Sequence, residues 1–400
     1  MPLRRPPQPH GLRHDHGRRP CLDPPHGKIA DSMEIPPLSE VRRLTEKKRD
    51  AWWTVLLVDP VATPLVRWTA KYARWVTPNQ ITWAALFLGL GAAACFAQAD
   101  WMWLIIGAVL YHVSFILDCM DGKLARLTGR GSEFGGWLDY VFDRIRVLAC
   151  AVALMGGQYS RTGDVVYVWL ALVVVFLDML RYIDALQIFK VRHSMRKKIK
   201  ARARAARRSM ENQHPDAVEQ EQRDELHFME DLLRDNPAAD IDNTHDELAE
   251  QVATGQVSAT ADEPENADGT AAPAREKVVV DLHQEFKSRF PWYGKFRSLL
   301  LRHRIRAHLI SGIEFQMGVF IVGPLFGAVL PVTIGSGVLL MVFELAIIYK
   351  LLLSTRDFER TLAKYPVPEP VAVPAEVSVP AQAEAPATEQ NQKQGDDARI

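Results

Sequence analysis

Residues 118–143 read DCMDGKLARLTGRGSEFGGWLDYVFD, four aspartates and a scatter of basic residues set between two apolar stretches. Asp118 and Asp121 are three apart and Asp139 and Asp143 four apart, so on helices each pair shares a face. The apolar flanks, about residues 101–118 and 137–157, come close to crossing a hydrocarbon core of about 30 Å at about 1.5 Å per residue. Two antiparallel spans with a short loop would carry all four carboxylates to one depth. Anions packed that closely at a bilayer repel one another unless cations sit among them. Hard divalent ions with oxygen ligands suit such a site, since no His or Cys is positioned to favour a softer metal.

Working outward, six spans are predicted, at about 80–97, 101–118, 137–157, 165–188, 309–330 and 332–354. Lys and Arg crowd before the first (Arg67, Lys71, Arg74), after the second (Lys123, Arg126, Arg130), after the fourth (Lys190 to Arg208) and before the fifth (Arg302, Arg304, Arg306). The positive-inside bias makes those loops cytoplasmic, with both termini and the aspartates on that side of the cell membrane. Ahead of the first span, Leu65, Trp68, Tyr72 and Trp75 recur on one face and Arg67, Lys71 and Arg74 on another, the pattern of a helix lying in the headgroup plane. The fold class is therefore all-α: a polytopic membrane protein with six transmembrane helices and an N-terminal interfacial amphipathic helix.

The equal totals of 48 basic and 48 acidic residues average two unlike populations. Residues 1–45 are expected to be a disordered tail, with Met33 an alternative start. Residues 46–192 hold the interfacial helix, four spans and the aspartates. Residues 193–289 form a charged cytoplasmic insertion, expected to be largely disordered for want of large apolar residues. Residues 290–356 supply the last two spans, and 357–400 a second disordered tail. The four cysteines have no paired spacing, so neither a disulfide frame nor a zinc site is read. Membrane lipids are expected partners and nucleic acid is not.

Small and basic residues refine the aspartate stretch. Gly122 and Ala125 let a ligand or helix approach the backbone, Gly135 lies four before Asp139 on the same face, and Lys123 and Arg126 add positive charge. Cations beside a small-residue face suit phosphate. The sequence Asp118, two residues, Asp121-Gly122, two residues, Ala125-Arg126, eight residues, Gly135, three residues, Asp139, three residues, Asp143 resembles the signature of the CDP-alcohol phosphotransferase (phosphatidyltransferase) family. TPNQIT at 77–82 also resembles the segment that opens that family's first span.

The resemblance implies transfer of a phosphatidyl or similar phosphoalcohol group from a CDP-linked donor such as CDP-diacylglycerol to an acceptor alcohol, releasing CMP in phospholipid biosynthesis. It implies two ions, Mg2+ or Mn2+. Asp118, Asp121 and Asp139 would be ligands, and Asp143 would bind the second ion and take the acceptor's proton. Gly122, Ala125, Arg126, Ser132 and Gly135, with Asn79 and Thr82, would contact the CDP-alcohol. A homodimer is implied as well. A divalent-cation transporter and a non-catalytic membrane scaffold are the alternatives.

The acceptor is not legible, but there is one clue. Arg146 and Arg181 lie roughly 10–14 Å below the cytoplasmic surface by helical rise, and an intramembrane arginine needs an anion. Asp178, Asp184 or Glu314 could supply it. Otherwise the arginines would hold a phosphate carried by the acceptor, as in inositol phosphate or glycerol phosphate, with Glu314 lining the same pocket.

Overall fold

A computed structural model describes residues 36–213, 226–235, 248–250 and 278–365, and these are mostly helical. The tail before residue 36, Met33 with it, and the tail after 365 lie outside the described residues. Helix α1 (Leu38–Thr45) leads through a π-helical turn at Thr54–Val58 into α2 (Asp59–Tyr72). The long helices then start where the sequence supplies a cap. Before α3 (Pro78–Ala97), Thr77 donates its backbone N–H to Gln80 Oε1 at 2.9 Å and accepts the Gln80 N–H on its hydroxyl. Asp100 accepts from Met102 N–H at 3.2 Å ahead of α4 (Trp101–Thr128). Ser132 accepts from Gly135 N–H at 2.9 Å ahead of α5 (Glu133–Thr162). Gly129 and Gly163 close α4 and α5 at φ of 66° and 71°, a left-handed conformation that a side chain would strain.

Helix α6 (Val166–Gln213) is followed by a short strand β1 (Leu226–Phe228), α7 (Met229–Asp235), β2 (Val278–Val280), α8 (Gln284–Arg289) and α9 (Pro291–Arg302). Helix α10 (Gly312–Leu325), with a π turn at Gly318–Val322, and α11 (Val329–Ala363) complete the described chain. Among the described residues, four helices are long and apolar enough to cross a membrane: α3, α4, the Val166–Ala206 part of α6, and α11. The third and fifth expected spans fall on α5, interrupted by Asp139, Asp143, Arg144 and Arg146, and on α10, too short at about 1.5 Å per residue to cross about 30 Å alone.

Helix α3 sits between α4 and α5, and small residues allow the approach. A Cβ on Gly107 would meet the Phe96 ring at 2.6 Å, and one on Gly157 would meet the Phe96 carbonyl oxygen at 2.7 Å. Phe96, Tyr111, Leu154, Met155 and Phe320 fill the core between α3, α4, α5 and α10, with the Tyr111 and Phe320 rings 4.8 Å apart. Large apolar residues remain exposed on the outward faces of α6 and α11, among them Trp169, Leu172, Phe176, Val338, Val342 and Leu345.

Three segments expected to be disordered contain regular structure. Helix α1 falls within 1–45 and buries Val41 completely. Helix α11 continues to Ala363, inside the expected second tail. Within 193–289, α6 continues to Gln213, and β1 pairs in parallel with β2, Phe228 opposite Val280. Phe228, Val280 and Leu282 pack on Ile199 of α6 and on Phe358 and Leu362 of α11, while Met229, Leu232, Leu233 and Leu248 form a small cluster within the insertion itself.

Candidate active site

Asp118 and Asp121 project from the last turns of α4, and Asp139 and Asp143 from the first turns of α5. All four line one cavity of about 460 Å3, as the antiparallel spacing requires. Its walls include Gly122 and Arg126 of α4, Arg144 of α5, Asp178, Arg181 and Tyr182 of α6, Ser311 just ahead of α10, and Gln316 of α10. Lys47, Asp50 and Arg306 line it from two distant segments of the chain. Those segments are tied by backbone bonds of 2.9 Å, Asp50 N–H to the Arg304 carbonyl and Arg306 N–H to the Asp50 carbonyl. Arg306 also pairs with Asp50 Oδ1 at 3.0 Å, and Trp52 donates its indole N–H to the Leu309 carbonyl at 2.9 Å.

The carboxylates have unlike surroundings. Asp121 is buried and accepts from the Thr82 hydroxyl at 2.6 Å, joining α3 to α4. Arg146, only 1% exposed, donates to Asp118 Oδ1 at 3.2 Å and to Asp143 Oδ1 at 2.5 Å, clamping one carboxylate of each pair from behind. Its stem passes where a Cβ on residue 89 would stand, and Gly89 leaves that space open. Arg144 bridges Asp143 to Asp178, and Asp178 also accepts from Gln316 Nε2 at 2.8 Å. The Tyr140 and Tyr182 rings stack on each other at 4.5 Å, and the Arg144 guanidinium lies beside the pair, 5.9 and 5.7 Å from their centroids. Asp139 makes no hydrogen bond or ion pair among the described residues.

The residues expected at the CDP-alcohol divide into two groups. Gly122 and Arg126 line the cavity, and a Cβ on Gly122 would lie 3.6 Å from Arg126 Nη1, so the guanidinium lies over the glycine. Asn79, Ser132 and Gly135 meet where α3 and α5 begin: a Cβ on Gly135 would lie 3.0 Å from Ser132 Oγ and 3.1 Å from Asn79 Oδ1. That meeting point and Ala125 are outside the cavity lining, and Thr82 reaches the cavity only through Asp121. Lys123 is turned to Asp59 Oδ1 at 2.6 Å and Thr63 at 2.8 Å, and serves to fix α2 on α4.

Of the three residues expected at the acceptor, Arg181 lines the cavity and pairs with Glu344 at 2.7 Å. Arg146 and Glu314 do not line it. The anions that Arg146 needs are the aspartates themselves, and Glu314 accepts from Ser311 N–H at 2.9 Å and Ser311 O–H at 2.6 Å, capping α10. The Ser-x-x-Glu spacing of 311–314 is a capping-box signal that the sequence already carried. Lys47, Tyr182 and Arg306 were not anticipated.

The donor chemistry suits a hard cation: four carboxylates face one space, and one of them has no protein partner. As the side chains stand, no three His, Cys, Asp or Glu among the described residues converge on a single metal position, since Arg144 and Arg146 occupy oxygens of Asp118 and Asp143.

Residues 75–206 match the family model described as CDP-alcohol phosphatidyltransferase. The chain is 39% identical over 70 residues to an archaetidylinositol phosphate synthase of Pyrococcus horikoshii, covering 18% of this chain and 36% of that protein. It is 34% identical over 102 residues to a phosphatidylinositol phosphate synthase of Cutibacterium acnes, covering 25% and 44%. A CDP-diacylglycerol–glycerol-3-phosphate 3-phosphatidyltransferase of Cereibacter sphaeroides is 33% identical over 87 residues, covering 20% and 38%. The chain thus spans less than half the length of each of these relatives. Its matched segment, which holds all four aspartates, is a domain of the CDP-alcohol phosphatidyltransferase family.

Proposed function

We propose that the protein is a membrane enzyme that transfers a phosphatidyl group from a CDP-linked lipid to the hydroxyl of a phosphorylated polar alcohol. The observation that carries this reading is the single cavity in which four carboxylates face Arg126, Arg181, Lys47 and Arg306. Carboxylates and cations lining one space suit a phosphorus centre beside an anionic acceptor. The relatives named for inositol phosphate and glycerol 3-phosphate products support an acceptor of that class.

In this reading Asp118, Asp121, Asp139 and Asp143 hold two divalent ions, Mg2+ or Mn2+, which when bound stabilise charge on the attacking and leaving oxygens. Asp143 takes the acceptor's hydroxyl proton. The hydroxyl oxygen bonds to the phosphorus that carries the lipid, the phosphoanhydride bond to CMP breaks, and CMP leaves with the bond's electron pair. Arg126, over Gly122, receives the donor's diphosphate, and Arg181 orients the acceptor phosphate. Asn79, Ser132 and Gly135, flanking the site, receive the nucleotide. Arg144 and Arg146 position Asp118 and Asp143 from the cavity wall and from behind.

The same reading sets α5 and α10 beside the four apolar helices as fifth and sixth spans, with the site facing the cytoplasm. Helix α2 lies in the headgroup plane. In support, Ala62, Val66 and Thr69 are buried against the protein while Leu65, Trp68 and Tyr72 stay exposed on another face. The test is a panel of CDP-linked donors against free and phosphorylated alcohols, scored by CMP release with and without chelator. Release confined to phosphorylated acceptors and abolished by chelator is expected. Turnover in excess chelator, or with uncharged alcohols alone, would overturn it.

A further inference from the structure

A second cavity, of about 760 Å3, lies beside the aspartate site, and Ala185 of α6 lines both. It is enclosed by α6, α7, α8, α9 and Lys350 of α11, so most of its walls lie outside the segment that matches the family. Six Lys or Arg side chains line it against three carboxylates. Each carboxylate is already engaged: Glu230 by Arg196, by His283 Nε2 at 2.7 Å and by Arg192 Nη1 at 3.6 Å, Asp231 by Arg196 at 3.0 Å, and Asp281 by Lys287 at 2.7 Å. Lys350 has no carboxylate within ion-pair distance among the described residues. Its ammonium instead lies over the rings of Phe286 and Tyr293, at 5.0 and 5.4 Å. Arg192 Nε is buried with no hydrogen-bond partner. The His283 imidazole, outside the spans, is pushed down to about 3 by burial and then by Lys350 and Arg192.

Depth adds a second constraint. By helical rise, Ala185 is about 28 Å from the start of α6 and Lys350 about 32 Å from the start of α11, the far edge of a core of about 30 Å. Phe189, which lines the cavity about one turn after Ala185, is an exposed large apolar residue at that level.

We propose that this cavity is a second anion site, which takes a phosphate group at headgroup depth through Lys350, Arg192 and Arg297. The phosphate belongs either to an anionic lipid headgroup or to a free phosphorylated molecule. The site stands on its own residues and does not depend on the transferase reading.

The test uses the purified full chain in nanodiscs of phosphatidylcholine alone, of phosphatidylcholine with phosphatidic acid, and of phosphatidylcholine with added inorganic phosphate. Thermal unfolding is followed as each anion is titrated. The wild type is expected to gain stability in a saturable way. Lys350→Gln should weaken the apparent Kd at least tenfold, Lys350→Arg should restore it, and Arg161→Gln, which lines neither cavity, should leave it unchanged. Arg192→Gln, at a partly exposed position, repeats the test if Lys350→Gln does not fold. Response to phosphatidic acid alone assigns a lipid headgroup, and response to inorganic phosphate as well assigns a free phosphate group. No response to either anion, or an unchanged Kd in the Lys350 and Arg192 variants, would overturn the site.

Discussion

Gly89 tests how the site is held without touching an aspartate. A Cβ at that position would lie 2.6 Å from Arg146 Cδ, 2.7 Å from its Cγ and 3.2 Å from Ser114 Oγ. Carbon atoms settle at about 3.5–4.0 Å, so in Gly89→Ala the arginine stem must retreat by about 1 Å. The site is fully buried, and such overpacking costs about 1–3 kcal/mol. The retreat also pulls the guanidinium from Asp118 and Asp143, which it now reaches at 3.2 and 2.5 Å. A displacement of about 1 Å in a reacting constellation costs on the order of 100-fold in rate. Gly89→Ala should therefore lower both the thermal midpoint and CMP release, the latter by on the order of 100-fold. Gly91→Ala, on the same helix with nothing within 4 Å of the new Cβ, should leave release unchanged. Wild-type turnover and stability in Gly89→Ala would refute the role given to Arg146.

Lys123→Met leaves Asp59 buried with only Arg304, at 3.3 Å, and should destabilise by about 3–5 kcal/mol in thermal or denaturant unfolding. Replacing Asp59 and Lys123 together by apolar residues should recover much of that loss. Thr82→Val strips the buried Asp121 of its hydroxyl donor and should cost about 1–3 kcal/mol, which Thr82→Ser restores. The His308 imidazole is pushed down to about 4 by burial, then by Arg181, Arg306 and Lys350. The unfolded chain, with a value near about 6.5, binds the proton that the folded chain refuses. Its contribution is therefore intact above about 6.5 and lost as pH falls to about 4, at no more than about 1.4 kcal/mol per pH unit. His308→Gln should remove that slope from a series of melts between those limits.

Local spacing made the centre of the site readable. Steps of three and four placed the aspartate pairs on helix faces, and the caps at Thr77, Asp100 and Ser132 are written in the residues themselves. Partners distant in the chain were not readable. Lys47 and Arg306 reach one cavity because a bridge between Asp50 and Ile305 joins their segments, and no periodicity encodes such a contact. Arg146 illustrates the same limit: its need for an anion was legible, but its partners depend on the space at Gly89 in another helix. Strands of three residues, LHF and VVV, are too short to stand out, and they gain a core from α7 and from the far ends of α6 and α11.

The most direct measurement follows CMP release from CDP-diacylglycerol by the purified full chain in nanodiscs with magnesium and a phosphorylated acceptor, comparing wild type, Asp118→Asn and Asp143→Asn. The wild type should release CMP in step with lipid product. Asp143→Asn should lose turnover by several decades while still binding the nucleotide, and Asp118→Asn should lose both. No CMP release by the wild type from any CDP-linked lipid, or release undiminished in both variants, would contradict the assignment of the four aspartates to phosphatidyl transfer.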